Sequence, residues 1–235
     1  MREGWLGRSS SERVWAAGAP KELAFWERRL RDPEIETAWA QYLPRMDPAS
    51  PVEDPVASLI AGLPDESVAL LDVGAGPLTV LGKTHPEKTL RITATDPLAE
   101  DYARIMGEVG IEPPVPTIDC RGEDLLERFD PGSFDVAFSQ NALDHSVDPV
   151  RVVSNMVELV KEGRFVVLRH RRREGRSENY WGLHQWNFDC EAGEFLLWRG
   201  RRERVSMNRV LGSVATVECS LEDGWVICLI TKRRR

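Results

Sequence analysis

The sequence VALLDVGAGPL at residues 68–78 carries the clearest indication of the fold. Its first half is a continuous apolar run of strand length, which indicates a strand covered on both faces. Its second half places Asp72 two residues before the turn Gly74-Ala75-Gly76, where the absence of glycine side chains lets backbone approach a ligand. In open α/β sheets ligands bind beyond the carboxyl ends of the strands, so these residues are the first candidates for a binding site.

Short apolar runs and helical stretches alternate after this strand. The predicted strands lie at 68–74, 90–96, 115–120, 134–140 and 164–170, and the predicted helices at 99–110, 122–129 and 148–163. In the last helix a valine stripe extends to Val160, and Gly163 marks the end. The alternation predicts an α/β, Rossmann-like, doubly wound sheet that is mostly parallel.

The C-terminus departs from that alternation. Two strands, 214–220 and 225–232, follow one another and are joined through Asp223-Gly224, which is a hairpin signal. We therefore expect seven strands in all, the last two forming an antiparallel hairpin at the end of the sheet.

Composition limits the class of protein. The chain has 235 residues, 42% of them apolar, and a net charge of -7, which argues against a nucleic-acid or anionic-membrane binder. The sequence contains no apolar run of membrane-spanning length and no signal-peptide core, so we expect a soluble, cytoplasmic protein. The four cysteines, at 120, 190, 219 and 228, lack CxxC spacing, and we expect them to be reduced and mostly buried.

The chain divides into two parts. Residues 1–50 carry Trp15, Trp26 and Trp39 among many charges, which predicts an N-terminal helical cap or lid, with helices broken near Pro33 and ending at Pro44. Residues 51–235 form the main domain, with an acceptor-binding insertion at about 171–210.

The second strand supplies another acid. Asp96 ends it, 24 residues after Asp72, at a position where a carboxylate can accept both hydroxyls of a ribose. A nicotinamide dinucleotide is the rival ligand, but its fingerprint requires a third glycine where Thr79 stands.

Four motifs resemble those of the class I S-adenosylmethionine-dependent methyltransferases, in their small-molecule, type 11-like branch. They are LLDVGAGPLT, TATDPL, CRGEDL and FDVAFSQNALDH, and the resemblance spans roughly residues 52–235. It implies S-adenosylmethionine as cofactor and S-adenosylhomocysteine as product. The residues that it implies in cofactor binding are Asp72, Gly74, Ala75, Gly76, Asp96, Pro97, Leu98, Gly122, Glu123, Gln140 and Asn141.

The resemblance also implies a role for each of these residues, and the sequence differs from the family's motifs at three places. Asp72 and the glycine turn would hold the methionine, Asp96 the ribose, Leu98 and residues 122–123 the adenine, while residues 140–141 would border the sulfonium. The family's usual third glycine falls at Leu78, its adenine-loop aspartate falls at Arg121, and Pro86 shortens the helix after the first strand.

Methyl transfer requires alignment and, for a hydroxyl or ammonium acceptor, a base. A histidine with a pKa near 6.5 suits that role, and His184 is favoured over His145, which could instead be a loop or helix-cap residue. His170 is expected to be a buried, hydrogen-bonded core residue. The aromatic residues Tyr180, Trp181 and Trp186 around His184 form either a substrate wall or ordinary core.

Basic residues cluster at 169–176, either as a solvated loop or as a clamp for an anionic acceptor, with Arg172 as the candidate contact. Asp144, His145 and Asp148 lack a clear ligand pattern and are expected to cap the next helix, so we predict no metal site.

The leading hypothesis is methyl transfer to oxygen or nitrogen of a small, anionic or sugar-bearing acceptor, such as a glycan or natural-product intermediate. Two alternatives remain: a methyltransferase of RNA or protein, suggested by the basic loop, and a cofactor-fold binding protein without turnover, suggested by Leu78. Neither a nucleic-acid partner nor a membrane is expected under the leading hypothesis, and the oligomeric state stays open.

Overall fold

The computed structural model describes residues 3–32 and 42–234, with side chains from residue 11 onward. The helices are α1 (Glu3–Arg31), α2 (Leu43–Met46), α3 (Val56–Ala61), α4 (Ala99–Glu108), α5 (Leu125–Arg128), α6 (Pro149–Leu159), α7 (Glu174–Ser177) and α8 (Met207–Leu211), with 3-10 turns at Gly122–Asp124 and Leu143–His145. The strands are β1 (Ser67–Val73), β2 (Thr89–Asp96), β3 (Thr117–Asp119), β4 (Phe134–Gln140), β5 (Val160–Arg171), β6 (Asn187–Glu191), β7 (Glu194–Trp198), β8 (Val205–Ser206), β9 (Ala215–Glu222) and β10 (Trp225–Lys232).

Seven of these strands form the predicted sheet, in the order β3-β2-β1-β4-β5-β10-β9. Strands β1 to β5 pair in parallel, whereas β10 pairs antiparallel with both β5 and β9. The β9–β10 turn has positive φ at Asp223 and Gly224, as a tight hairpin requires. The strand order reverses between β1 and β4, and this switch point is where an open α/β sheet binds its ligand.

Both faces of the sheet are covered. Along β1, Leu71 belongs to the apolar cluster that contains α6, whereas Leu70 belongs to the cluster that contains α3. Both leucines are fully buried. Successive strand residues point to opposite faces, so the unbroken apolar run of β1 reflects burial on both sides.

The structure differs from the prediction at the boundary between α6 and β5 and in the segment between β1 and β2. Helix α6 ends at Leu159, because Val160 pairs with Phe134 and starts β5. Between β1 and β2, residues 74–88 are all described and contain no helix, so the helix that Pro86 was expected to shorten is absent.

The segment at 171–210 folds as a second, three-stranded sheet in the order β6-β7-β8. Cys190 of β6 and Cys219 of β9 form a disulfide that ties this sheet to the edge of the main sheet. The expectation of four reduced cysteines is therefore wrong for this pair, which lies 29 residues apart and meets only in the folded chain. Cys120 and Cys228 are free and buried, as expected.

Helix α1 runs through Pro20 without ending there. The break predicted near Pro33, and Trp39, lie outside the described residues. Among the described residues, no helix combines the length and the apolar character needed to cross a membrane.

Candidate active site

A cavity of about 490 Å³ opens at the carboxyl ends of β1, β2 and β4. The residues predicted to bind the cofactor all line it: Asp72, Gly74, Ala75, Gly76, Asp96, Pro97, Leu98, Gly122, Glu123, Gln140 and Asn141. The candidate catalytic residues His145 and His184 line the same cavity, so one space joins both halves of the predicted site.

Asp72 is the penultimate residue of β1 and is almost fully buried. The Thr79 hydroxyl donates a hydrogen bond to Asp72 Oδ2 at 2.6 Å. Thr79 stands where a dinucleotide-binding fold would have its third glycine, and here it holds the Asp72 carboxylate in place. Burial raises the pKa of Asp72 to about 6, although the Thr79 hydrogen bond opposes the rise. A buried carboxylate of this kind favours a cationic ligand group such as an ammonium.

Asp96 joins the two loops of the cofactor end. Its Oδ2 accepts a hydrogen bond from Gly76 N at 3.0 Å, and its Oδ1 accepts one from Leu98 N at 2.9 Å. Burial raises the pKa of Asp96 to about 6 against these two bonds. Each oxygen keeps lone pairs for further donors, so the ionised group can accept ribose hydroxyls.

The glycine turn needs its glycines. Gly74 has φ +73°, and a Cβ built there would lie 2.4 Å from the Cβ of Ala142. Gly76 has φ +64°, and the ring of Trp26 would lie 3.3 Å from its Cβ. Leu78, at the family's third glycine position, is buried in the apolar cluster beneath α1, so a packing role replaces the glycine there.

Glu123 and Arg121 lie in the predicted adenine loop, and both side chains form contacts that stabilise the loop against neighbouring elements. Glu123 Oε1 accepts hydrogen bonds from the backbone N–H groups of Val147 and Asp148, which fixes the start of α6. Arg121 pairs with Glu12 at 3.1 Å, and its guanidinium lies over the Trp15 ring. An arginine in place of the family's aspartate thus fastens α1 to this loop.

Helix α1 forms one wall of the cavity, as the predicted lid would. Its lining residues are Trp15, Lys21, Glu22, Phe25 and Trp26. At Gly18 the helix approaches the insertion so closely that a Cβ would lie 2.5 Å from Leu183. Lys21 lies over the ring of Trp181, and Arg199 donates to Ser11 at 2.8 Å. The helix therefore bridges the cofactor loops and the insertion.

Three side chains converge at the other end of the cavity. Asp144 Oδ2 lies 2.7 Å from His184 Nδ1, and His184 Nδ1 lies 3.1 Å from His145 Nε2. The third separation, from His145 Nε2 to Asp144 Oδ2, is 3.5 Å. Asp144 is fully buried, whereas both histidines keep some exposure.

The charges of this cluster depend on one another. Burial alone would lower the pKa of His184, but the hydrogen bond and charge of Asp144 raise it to about 9. Burial alone would raise the pKa of Asp144, but the two neighbouring histidines and the His184 hydrogen bond lower it. A free base near pKa 6.5 was the expectation for His184; the ion pair instead keeps the ring protonated at neutral pH.

Two further titratable groups lie behind the cluster. Glu174 Oε1 accepts a hydrogen bond from Asn141 Nδ2, and burial and the charge of Asp144 raise the pKa of Glu174 to about 7. His170 is buried and stacks on Phe188, and burial lowers its pKa to about 4. Neither ring nitrogen of His170 has a hydrogen-bond partner among the described residues, so it is core but not the hydrogen-bonded core residue predicted.

Of the four residues predicted to contact substrate, one lines the cavity and three do not. Trp181 lines the cavity and is 60% exposed. Tyr180, Trp186 and Arg172 are absent from the described lining, because each is engaged elsewhere. Asn187 donates to the Tyr180 hydroxyl, Trp186 Nε1 donates to the Ser146 carbonyl, and Arg172 forms a two-pronged ion pair with Asp189.

Sequence reasoning missed three residues. Arg171, rather than Arg172, reaches the cavity, with its guanidinium over Trp225; strand alternation could have indicated this choice. Arg45 lines the cavity and donates to the Leu78 carbonyl, so it lies at the glycine turn. Asp144 and Asp148 were both expected to cap the next helix; the Asp148 side chain does cap α6, whereas Asp144 faces the two histidines.

Comparisons with known proteins agree with this geometry. Residues 71–168 match a family described as "Methyltransferase domain". The chain is similar to the CurJ carbon methyltransferase, with 16% identity, a TM-score of 0.55, and coverage of 76% of this chain and 52% of that one. The chain thus spans about half the length of that relative. No curated protein sequence matches the chain significantly.

Two other solved structures cover nearly the whole of both chains. One comes from the complex between the Haloferax volcanii Trm112 methyltransferase activator and a methyltransferase, with 13% identity, a TM-score of 0.53, and coverage of 92% and 97%. The other is described as an S-adenosylmethionine-dependent methyltransferase from Methanococcus maripaludis, with 13% identity, a TM-score of 0.51, and coverage of 89% and 94%. At such identities these structures share the fold. The family match over residues 71–168 and the cavity at the carboxyl ends of the strands agree with this shared fold.

Proposed function

We propose that the protein transfers a methyl group from S-adenosylmethionine to an oxygen or nitrogen of a small molecule. The observation that carries the proposal is that the buried acids Asp72 and Asp96 and the pair His145 and His184 line the same cavity, at opposite ends. Its volume lies in the range of small-molecule sites.

The cofactor end suits S-adenosylmethionine in charge and in shape. Asp72 would bind the ammonium of the methionine, and Arg45, at the same turn, would bind its carboxylate. Asp96 would accept the ribose hydroxyls. Because Gly74 and Gly76 have no side chains, the backbone of the turn after β1 can lie directly against the cofactor. When bound, S-adenosylmethionine supplies an electrophilic methyl group on a sulfonium.

The acceptor end would position the reacting atom. His145 and His184 would contact the acceptor, and the hydrogen bond to the buried Asp144 carboxylate orients the His184 ring. Trp181 and Trp225 supply ring faces, and Arg171 a positive charge, so a flat or sugar-bearing acceptor with an anionic group is the class supported. Helix α1, which forms one wall of the cavity, would shield the reacting atoms from water and help to keep them aligned.

Enclosure by α1 also supports a small acceptor over RNA or protein. The basic loop that suggested a macromolecule is partly neutralised, since Arg172 and Arg173 both pair with Asp189. A long polyanion would then find few free cations at 172–173.

Calorimetric titration with S-adenosylhomocysteine, with NAD as control, tests the cofactor. We expect one-site binding of S-adenosylhomocysteine alone, and labelled S-adenosylmethionine then allows candidate acceptors to be screened. Binding of NAD in its place would refute the proposal.

Two variants separate the ends of the cavity. Asp96→Ala should weaken S-adenosylhomocysteine binding at least tenfold, because the ribose loses its acceptor and Gly76 and Leu98 lose their anchor. His184→Ala should leave that binding within twofold but slow transfer. The opposite pattern would mean that the two ends are wrongly assigned.

A further inference from the structure

We propose that Asp144, His145 and His184 bind a divalent transition-metal ion of the zinc type. Their three ligand atoms, Asp144 Oδ2, His145 Nε2 and His184 Nδ1, are separated by 2.7, 3.1 and 3.5 Å. The proposal concerns this acceptor-side cluster and is independent of which cofactor the other end of the cavity holds.

The spacing fits a common metal centre. An ion with ligand bonds of about 2.0–2.1 Å sets its ligand atoms about 2.9–3.4 Å apart, from octahedral to tetrahedral geometry. The three observed separations bracket this range, so an ion requires movements of only a few tenths of an ångström.

Hydrogen bonding alone accounts poorly for the cluster. His184 Nδ1 carries at most one hydrogen, yet it lies within hydrogen-bonding distance of both Asp144 Oδ2 and His145 Nε2. One hydrogen cannot make two full bonds in different directions. A divalent ion at the centre would displace the Nδ1 proton of His184 to solvent and would then satisfy all three ligand atoms at once.

A buried oxygen supplies the second observation. Asp144 Oδ1 has no hydrogen-bond partner among residues 3–32 and 42–234, although its side chain is fully buried. Buried polar atoms are rarely left unpaired, and such exceptions mark strain or an absent ligand. Coordination of the ion by Oδ1 as well as Oδ2 would remove this anomaly.

The backbone builds the site in advance. The Asp144 carbonyl accepts hydrogen bonds from the N–H groups of Gln185 and Trp186, which holds the loop after β4 against the segment that carries His184. Trp186 Nε1 adds a bond to the Ser146 carbonyl at 2.9 Å. Trp186, predicted to contact substrate, therefore acts as a positioning residue for the ligands.

The ligand set indicates the metal and its role. Two imidazoles and one carboxylate suit zinc and its transition-metal neighbours better than magnesium or calcium. Three protein ligands leave a position for an oxygen of the acceptor, and His145 and His184 line the cavity from which it would enter. Resting on the proposed function, the ion would bind the acceptor hydroxyl and release its proton to solvent, which leaves a bound oxyanion.

Metal binding can be measured without turnover. Full-length protein is treated with a chelator, dialysed, and titrated with Zn²⁺ by calorimetry and with Co²⁺ by visible absorption. We expect one ion per chain and a cobalt spectrum typical of low coordination. His184→Ala and Asp144→Asn should each weaken binding at least tenfold, whereas His85→Ala, outside the cluster, should bind as the parent does.

Circular dichroism and cooperative thermal unfolding serve as the folding control for every variant. If His184→Ala fails that control, His145→Gln replaces it. Folded parent protein that binds no stoichiometric Zn²⁺ or Co²⁺, or cluster variants that bind as tightly as the parent, would overturn the metal site. Metal binding without S-adenosylhomocysteine binding would overturn the proposed function alone.

Discussion

Acidification should weaken cofactor binding, because both acids at the cofactor end must be ionised to act. Asp72 and Asp96 have pKa values raised to about 6 by burial. A protonated Asp72 loses its attraction for the methionine ammonium, and a protonated Asp96 cannot accept both ribose hydroxyls. Their folded pKa values are above those of free aspartate, so protonation occurs as pH falls through 6, well before an exposed aspartate would titrate.

The magnitude follows from the fraction ionised. With a pKa of about 6, a carboxylate is about 97% ionised at pH 7.5 and about 9% at pH 5. Each acid should therefore cost about tenfold in affinity, or about 1.4 kcal/mol, and the two together about a hundredfold. S-adenosylhomocysteine itself carries the same charges across this interval.

Calorimetry from pH 5 to 8 gives the dissociation constant directly. In the parent protein the logarithm of that constant should rise with a limiting slope of two below pH 6. In Asp96→Asn, which keeps the side-chain size but cannot ionise, the slope should fall to one and binding at pH 7.5 should be weaker. A dissociation constant that is flat from pH 5 to 8 would refute the reasoning, since neither acid would then be titrating at the ligand.

Two other predictions test packing and covalent structure. Gly74→Ala should destabilise the protein by more than the matched change Gly110→Ala and abolish S-adenosylhomocysteine binding; both residues have φ +73°, but only at Gly74 does the new Cβ overlap a neighbour, Ala142. Denaturant unfolding compares the two, and Gly110→Ala should cost about 1–2 kcal/mol for the left-handed backbone alone; equal losses would mean that the contact with Ala142 relaxes freely. Thiol titration of unfolded, unreduced protein should find two thiols, rising to four after reduction, because Cys190 and Cys219 are paired. Loss of this link should lower the free energy of unfolding by about 3–4 kcal/mol for a loop of this length, and four thiols before reduction would contradict the pairing.

The strands of the main sheet were predictable because their signal is local. Runs such as VALLDVG and FDVAFSQ consist mostly of apolar residues, and the sheet buries both alternating sets of their positions. The step Asp223-Gly224 likewise specifies its own turn through backbone conformation. The acids and glycines at these strand ends were predictable in turn, since parallel strands bring their carboxyl ends to one edge.

The boundary between α6 and β5 shows where local signals fail. Val160 continues the valine stripe of the helix, but pairing with Phe134 places it in the sheet. Tertiary pairing outweighs helix periodicity there, because a strand hydrogen-bonded to β4 satisfies backbone groups that a further helical turn would leave beside the sheet.

The cluster of Asp144 and the two histidines depends on long-range contacts. His184 lies 40 residues from Asp144, and the backbone bonds of Gln185 and Trp186 to the Asp144 carbonyl help to bring the two together. Sequence determined that an acid, a glycine turn and a second acid would share one sheet edge. Burial and long-range contacts, which no local pattern encodes, place Asp144 against two histidines and α1 along the cavity that these histidines line.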